Sequence, residues 1–145
     1  MSAKITILKQ ADAPALRDIR GLLSQIRSYP SENTGTMSEL RNLIGDKNIV
    51  VVIAKDGARI IGMALLYINV RIGRRIGQVE EVVVDSEHRG KGLGKSIMQK
   101  LIATARKKRL EKLYLTSRPS RVAANALYER LGFEKKETNV YQFKI

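Results

Sequence analysis

The sequence predicts an α/β fold (α+β under a stricter definition), in which a mixed, mostly antiparallel sheet with one parallel strand pair is flanked by about four helices. Two runs rich in β-branched residues, 49–54 and 60–70, are joined by Lys55-Asp56-Gly57. Asp-Gly between such runs is a strong hairpin signal. The longest helical pattern, residues 92–108, lies between a strand at 78–84 and a short one at 113–116. A strand–helix–strand crossover of that kind requires a locally parallel pair.

Each element follows from its local pattern. Residues 5–9 alternate and read as a first strand. Ala13-Pro14 opens a helix in which Leu16, Ile19, Leu22, Leu23 and Ile26 recur at helical spacing, and proline suits a first turn. Residues 28–36, polar and containing Pro30 and Gly35, read as a loop. Ser38-Glu39-Leu40 begins a short helix that Gly45 ends. After the first hairpin, a basic turn at 71–75 leads into the strand at 78–84. The long helix carries Leu93, Ile97, Leu101, Ile102 and Ala105 on one face. A last helix spans 122–131 before Gly132, and Phe133 with residues 140–143 supplies closing strands.

Bulk properties narrow the chemistry. A chain of 145 residues is one domain's worth, so a single domain over 1–145 is expected. Cysteine is absent, which excludes disulfides, thiolate metal sites and cysteine nucleophiles. A single histidine, His88, argues against a zinc site or a Ser-His-Asp triad, and no metal is expected. No signal-peptide core and no apolar run of membrane-spanning length is present, so a cytoplasmic protein without a membrane partner is expected. The net charge of +13 is the unusual property and favours anionic partners, though a basic solvated surface accounts for it equally well.

The informative segment runs from Val82-Val83-Val84 to Arg89-Gly90-Lys91-Gly92-Leu93-Gly94-Lys95-Ser96. A strand ends, three glycines alternate with other residues, and a helix starts. Glycines let backbone approach a ligand, and the free N–H groups of a first helical turn suit a pyrophosphate. The nucleotide P-loop pattern fails because Arg89 stands where its first glycine belongs, five residues before Gly94. The dinucleotide fingerprint fails because its third glycine would fall on Lys95 or Ile97. The pattern R-x-x-G-x-G is met by Arg89, Gly92 and Gly94. A glycine-rich turn with no ligand stays open.

About 30 residues downstream stands Asn125-Ala126-Leu127-Tyr128-Glu129-Arg130-Leu131-Gly132-Phe133. The two segments together resemble the GNAT superfamily of N-acetyltransferases, which have R-x-x-G-x-G after a strand and N-x-x-x-Y-x-x-x-G-F later. The resemblance covers roughly residues 49–133, with a local likeness of Gly77-Gln78-Val79-Glu80-Glu81 to glucosamine-phosphate N-acetyltransferases. Residues 116–121 with Asn125, and 138–141, resemble bacterial members without settled substrates.

That resemblance implies the acyl-CoA N-acyltransferase fold, with acetyl-CoA as co-substrate between two splayed parallel strands, 78–84 and 113–116. Val82, Val83 and Val84 then form the cofactor strand, the pantetheine arm pairing with the backbone of Val82 and Val84. Arg89, Gly90, Lys91, Gly92, Leu93, Gly94, Lys95 and Ser96 hold the pyrophosphate through backbone N–H groups. Asn125 bonds pantetheine or orders the helix carrying Tyr128, a helix cap being the alternative. Tyr128 is implied as the general acid for the departing thiolate, and also as a cofactor contact; a packed aromatic is the alternative. A backbone N–H near Val82 is implied for the oxyanion. Strand alternation puts Gln78, Glu80, Val82 and Val84 on one face and Val79, Glu81 and Val83 on the other. Glu80 is the candidate base and Glu81 the second, an exposed or salt-bridged residue being the competing reading. His88 stands too far from the chemistry to be the base.

Acceptor specificity is expected from 28–36, the turn at 71–75 and residues 135–139. These are polar and basic, though Glu32 and Glu137 lie among them, which suggests a small amine carrying an anionic group. A protein-lysine or N-terminal acetyltransferase is the alternative. The basic run Arg106-Lys107-Lys108-Arg109 keeps a nucleic-acid-binding module in view, but no aromatic residues interleave with it, so nucleic acid is not expected as the main partner. The amine acceptor and acetyl-CoA are the expected partners, and a homodimer is left open.

Overall fold

The computed structural model describes residues 3–26 and 35–145, so the expected loop at 28–36 lies outside the described residues except for Gly35 and Thr36. The chain divides into two compact units, residues 1–115 and 116–145.

The first unit is built on a five-stranded sheet in the order β1-β2-β3-β4-β5: β1 (Lys4–Ile7), β2 (Ile49–Asp56), β3 (Arg59–Arg71), β4 (Arg74–Val84) and β5 (Leu113–Tyr114). The first four pair antiparallel in succession, and β4 with β5 is the expected parallel pair. Asp56 and Gly57, the latter at φ 59°, form the β2–β3 turn that the Asp-Gly signal predicts.

Helices cover both faces. α1 (Ala13–Ser24) starts at Asp12, whose carboxylate accepts the Ala15 N–H at 2.9 Å. Thr36, expected in the loop, instead caps α2 (Met37–Gly45) through a reciprocal box with Glu39. Leu16, Ile19, Leu22, Leu23 and Leu40 from these helices pack on Val51, Ile53, Met63, Leu65 and Val83. α3 (Leu93–Lys107) lies on the opposite face, since a Cβ on Gly62, next to Met63, would meet Ile97 Cδ1 at 2.8 Å. Ile97, Met98 and Leu101 are fully buried there, and a Leu-to-Ala change at such a site costs ~2–5 kcal/mol.

β4 and β5 approach closely because residue 77 is glycine. A Cβ there would lie 2.6 Å from Leu113 Cδ2 and 2.7 Å from Leu66 Cδ1. Their parallel register covers only Gly77↔Leu113 and Gln78↔Tyr114. β4 then runs on for six residues without β5, so the predicted strand at 113–116 is shorter than expected.

The second unit holds α4 (Val122–Arg130) and an extended C-terminal segment. The expected closing strands at Phe133 and 140–143 do not form among the described residues. Val140, Tyr141 and Phe143 are 75%, 88% and 87% exposed. Their residue types satisfy local strand preference, but a strand is stable only when another edge completes its hydrogen bonds.

Candidate active site

The cofactor strand departs from simple alternation at one residue. Leu65 pairs with Glu80 and Met63 with Val83, so β4 spends one residue more than β3 between those pairs. This is a β-bulge, and it sits at Glu81, held at φ 54°. The extra residue inverts the side-chain sequence beyond it. Glu80, opposite Leu65, and Val83, opposite Met63, therefore share the α1–α2 face, and Val84 points the other way toward α3. The expectation that Glu80 shares a face with Val82 and Val84 is corrected accordingly. Glu81 also reaches the α1–α2 side, where it lines a cavity of about 80 Å³ with Leu23, Leu40, Met63 and Tyr67. Both candidate carboxylates thus sit on one face rather than two. Glu80 is exposed and accepts a long bond, 3.4 Å, from Gln78 Nε2.

Val83 is 3% exposed and its side chain belongs to the core, so only its backbone faces the strand edge. Val82 lies outside the paired register. Past Gln78, the β4 edge that faced β5 has no strand partner among the described residues. An extended amide-bearing chain can add to such an edge as a strand would.

β4 leads through Asp85 and a 3-10 turn (Ser86–His88) to the glycine loop. Gly90 and Gly92 hold φ 78° and 80°, the left-handed region where side-chain-bearing residues are strained. Gly92 is the N-cap of α3 and gives no side-chain cap. The first bond of the helix runs from the Ser96 N–H to the Gly92 carbonyl at 3.1 Å, which leaves the N–H groups of Leu93, Gly94 and Lys95 for an outside acceptor. The positive end of the helix and the exposed Lys91 and Lys95 favour an anion there. Leu93 is buried and contributes backbone only. The Ser96 hydroxyl donates to the Gly92 carbonyl at 3.2 Å, and Arg89 Nε donates to the Val84 carbonyl at 3.1 Å, fastening the loop to the strand end.

A brace that sequence reasoning missed holds this loop to α1. Gln25 Nε2 donates to Asp85 Oδ1 at 2.8 Å, and Gln25 Oε1 accepts the Ser86 N–H at 3.0 Å. Asp85 Oδ2 lies 2.9 Å from His88 Nδ1 and accepts the Glu87 N–H at 3.3 Å. The Gln25 bond, then the His88 bond, holds the Asp85 carboxyl below the usual aspartate range, burial opposing them. His88 is thereby a structural member of the loop. Beside it a cavity of about 540 Å³ is lined by Asp18, Gln25, Asp56, Arg59 and His88 among others. Glu80, Val82 and the loop glycines are not on its wall, so it is separate from the cofactor strand. Asp18, its side chain 1% exposed, bonds Arg17 Nε and Arg59 Nε at 3.1 Å and the Ile60 N–H at 3.0 Å. Burial pushes its carboxyl up, but the Ile60 N–H and the two arginines outweigh it and leave it below the usual range.

In the second unit, Tyr128 is the buried residue of α4 and meets Phe133 edge-on, ring centres 5.9 Å apart. Burial pushes its phenol up, with Arg121 opposing, so it is protonated at neutral pH as a general acid must be. Asn125 is inside α4 rather than at its cap. Its Nδ2 donates to the Arg118 carbonyl at 3.0 Å and orders the turn entering the helix.

The model of the acetyltransferase (GNAT) family matches residues 16–133. The glucosamine 6-phosphate N-acetyltransferase of Trypanosoma brucei brucei is 30% identical over 137 residues, covering 92% of this chain and 90% of that protein. The crystal structure of a Trypanosoma brucei acetyltransferase superposes with a TM-score of 0.75 at 26% identity, covering 99% of this chain and 100% of that one. The glucosamine-6-phosphate N-acetyltransferase of Arabidopsis thaliana shares the fold, with a TM-score of 0.74 at 23% identity over 99% of each chain. The chain accordingly belongs to the acetyltransferase (GNAT) family and is an acetyl-CoA-dependent N-acetyltransferase.

Proposed function

We propose that the enzyme acetylates the primary amine of a small molecule bearing an anionic group, an amino-sugar phosphate being the first candidate. The observation that carries the cofactor half is the path of β4, which parts from β5 after Gln78 and runs into the uncapped N-terminus of α3. The β4 edge beyond the end of β5 suits the amides of pantetheine, and the left-handed glycines with the first-turn N–H groups suit the pyrophosphate. The acceptor half is supported by the relative that matches over nearly the whole chain and carries the name of a glucosamine 6-phosphate N-acetyltransferase.

The chemistry follows from these groups. The neutral amine nitrogen attacks the thioester carbonyl, forming a C–N bond. The Val82 N–H, beside the bulge at Glu81 and outside the paired register, serves the oxyanion that develops on the carbonyl oxygen. Glu80 takes the surplus amine proton, directly or through water. The tetrahedral centre collapses with cleavage of the C–S bond, and Tyr128 gives its phenolic proton to the thiolate. Tyr128 is reprotonated from solvent, and the products are the N-acetylated amine and CoA. Glu81, facing the interior between the sheet and the first two helices, is the less suited carboxylate.

A ligand that binds the folded protein raises its melting temperature by mass action. Acetyl-CoA and CoA should do so well beyond ATP or NAD at equal concentration. A larger rise with ATP than with acetyl-CoA would favour a nucleotide site and sink this reading.

A further inference from the structure

The fold brings together two basic segments that are 30 residues apart in the chain. Residues 69–75 and 105–112 carry eight cations and one carboxylate, so these 15 of 145 positions hold more than half of the net charge of +13. Main-chain bonds join them: the Glu111 N–H donates to the Arg75 carbonyl at 2.9 Å and the Gly77 N–H to the Lys112 carbonyl at 2.8 Å. Arg71 and Arg74 stand opposite each other at the hairpin tip and share a face. Arg75 points the other way and donates to the Lys108 carbonyl at the end of α3. Arg71, Arg106, Lys107, Arg109 and Lys112 are exposed. The one carboxylate, Glu111, is taken up by Arg74 at 3.1 Å.

Two details argue that this is more than a solvated helix end. Cations in the last turn of α3 complement its dipole, and Arg75 and Arg74 are engaged by the Lys108 carbonyl and Glu111, but neither accounts for Arg71 at the hairpin tip. Arg109 is held at φ 57°, where a helix ordinarily ends on glycine, and yet a cation occupies the position.

We propose that this end of the first unit is a docking surface for the phosphate backbone of double-helical nucleic acid, read without sequence preference. The cations project from the backbone of a hairpin and a helix end that main-chain bonds join, a basic patch suited to phosphate contacts. Single-strand binding requires a row of stacking aromatics, and the one beside Lys112, Tyr114, is a single ring 40% exposed. For burial in a lipid surface the hairpin tip offers only Val70 and Ile72, less apolar area than an interfacial helix inserts. The surface is at the opposite end of β4 from the glycine loop, about 33 Å away at ~3.3 Å per residue, so duplex and the pyrophosphate of acetyl-CoA occupy separate places.

The test uses a labelled duplex, as DNA and as RNA, titrated with the full chain over a range of salt. The surface variant R71Q/R106Q/K107Q/K112Q is set against an equal-charge control, K4Q/K9Q/R41Q/K47Q. Both should keep the wild-type melting temperature and its rise with acetyl-CoA. The surface variant should lose at least roughly tenfold in affinity, and its log–log salt slope should be shallower by about three to four. The control should keep the wild-type slope, and saturating acetyl-CoA should displace no duplex. An equal loss in the control, displacement by acetyl-CoA, or capture by phosphatidylserine vesicles in preference to duplex would each overturn the proposal.

Discussion

The amide of Gln25, at the end of α1, grips Asp85 Oδ1 at 2.8 Å and the Ser86 N–H at 3.0 Å across about 60 residues of sequence. It thereby fastens the segment leading into the glycine loop to the helix on the sheet's other side. Gln25→Ala deletes both bonds, worth about 1 kcal/mol together at so exposed a position. If the brace sets the loop, KM for acetyl-CoA rises roughly fivefold with kcat nearly unchanged, because 1.4 kcal/mol is tenfold. Steady-state kinetics at saturating acceptor measures this. An unchanged KM would leave the brace without a role in cofactor binding.

Asp18 and Asp85 make stability fall in acid. Both carboxyls are held below their ordinary value in the folded chain, so their contribution is fully present above the unfolded value near 4. It disappears as pH drops through the lower folded values. The melting temperature should therefore hold from neutrality to about pH 4 and decline below it. Asp18→Asn, which keeps an acceptor for Ile60 but loses the charge facing Arg17 and Arg59, should cost ~1–3 kcal/mol at pH 7. Its deficit should narrow below about pH 4, as the unfolded wild-type chain takes up the proton and then the folded group does so at its lower value. A deficit constant from pH 7 to about pH 3 would contradict the assignment.

The glycines of the loop separate by conformation. Gly92 holds φ 80° with open space around its missing Cβ, so Gly92→Ala introduces backbone strain of ~1–2 kcal/mol without a clash. Gly94 lies within α3, where alanine is the better helix former by about 1 kcal/mol. Gly92→Ala should lower the melting temperature and Gly94→Ala should not, while both raise KM for acetyl-CoA. Paired melting and kinetic measurements decide it. A Gly94→Ala enzyme with wild-type KM would remove that position from the phosphate site.

Tyr128→Phe keeps the ring and its contact with Phe133 and deletes the hydroxyl. As a general acid Tyr128 should be worth ~10²–10⁴-fold, with kcat and kcat/KM falling together and the melting temperature holding. Glu80→Gln should flatten the acidic limb of the pH–rate profile, where a base must be deprotonated to act. Full kcat in Tyr128→Phe would end its assignment as the acid, and an unchanged acidic limb in Glu80→Gln would end that of the base.

What could be read from the sequence was local. β-branched runs around Asp56-Gly57 and the strand–helix–strand order specify the hairpin and the parallel pair, and the glycine spacing marks the loop. The bulge at Glu81 carried no signal, because glutamate is not a residue that favours positive φ; without it, alternation puts Glu80 on the face of Val82 and Val84, although Glu81 does share the face of Val83. The grip of Gln25 on Asp85 joins residues far apart in the chain, and no spacing rule points to it. Val140, Tyr141 and Phe143 are strand-favouring residue types, but propensity does not supply the partner edge that pairing requires.

The account stands most directly on thiol release measured with acetyl-CoA and a panel of amines: glucosamine 6-phosphate, glucosamine, and a lysine-rich peptide. It predicts acetyl-CoA-dependent release with kcat/KM highest for the phosphorylated amine and lower by at least tenfold for glucosamine, since binding the anion is worth a charge-assisted bond of ~1.5–3 kcal/mol. Faster release with the peptide or with unphosphorylated glucosamine would contradict it.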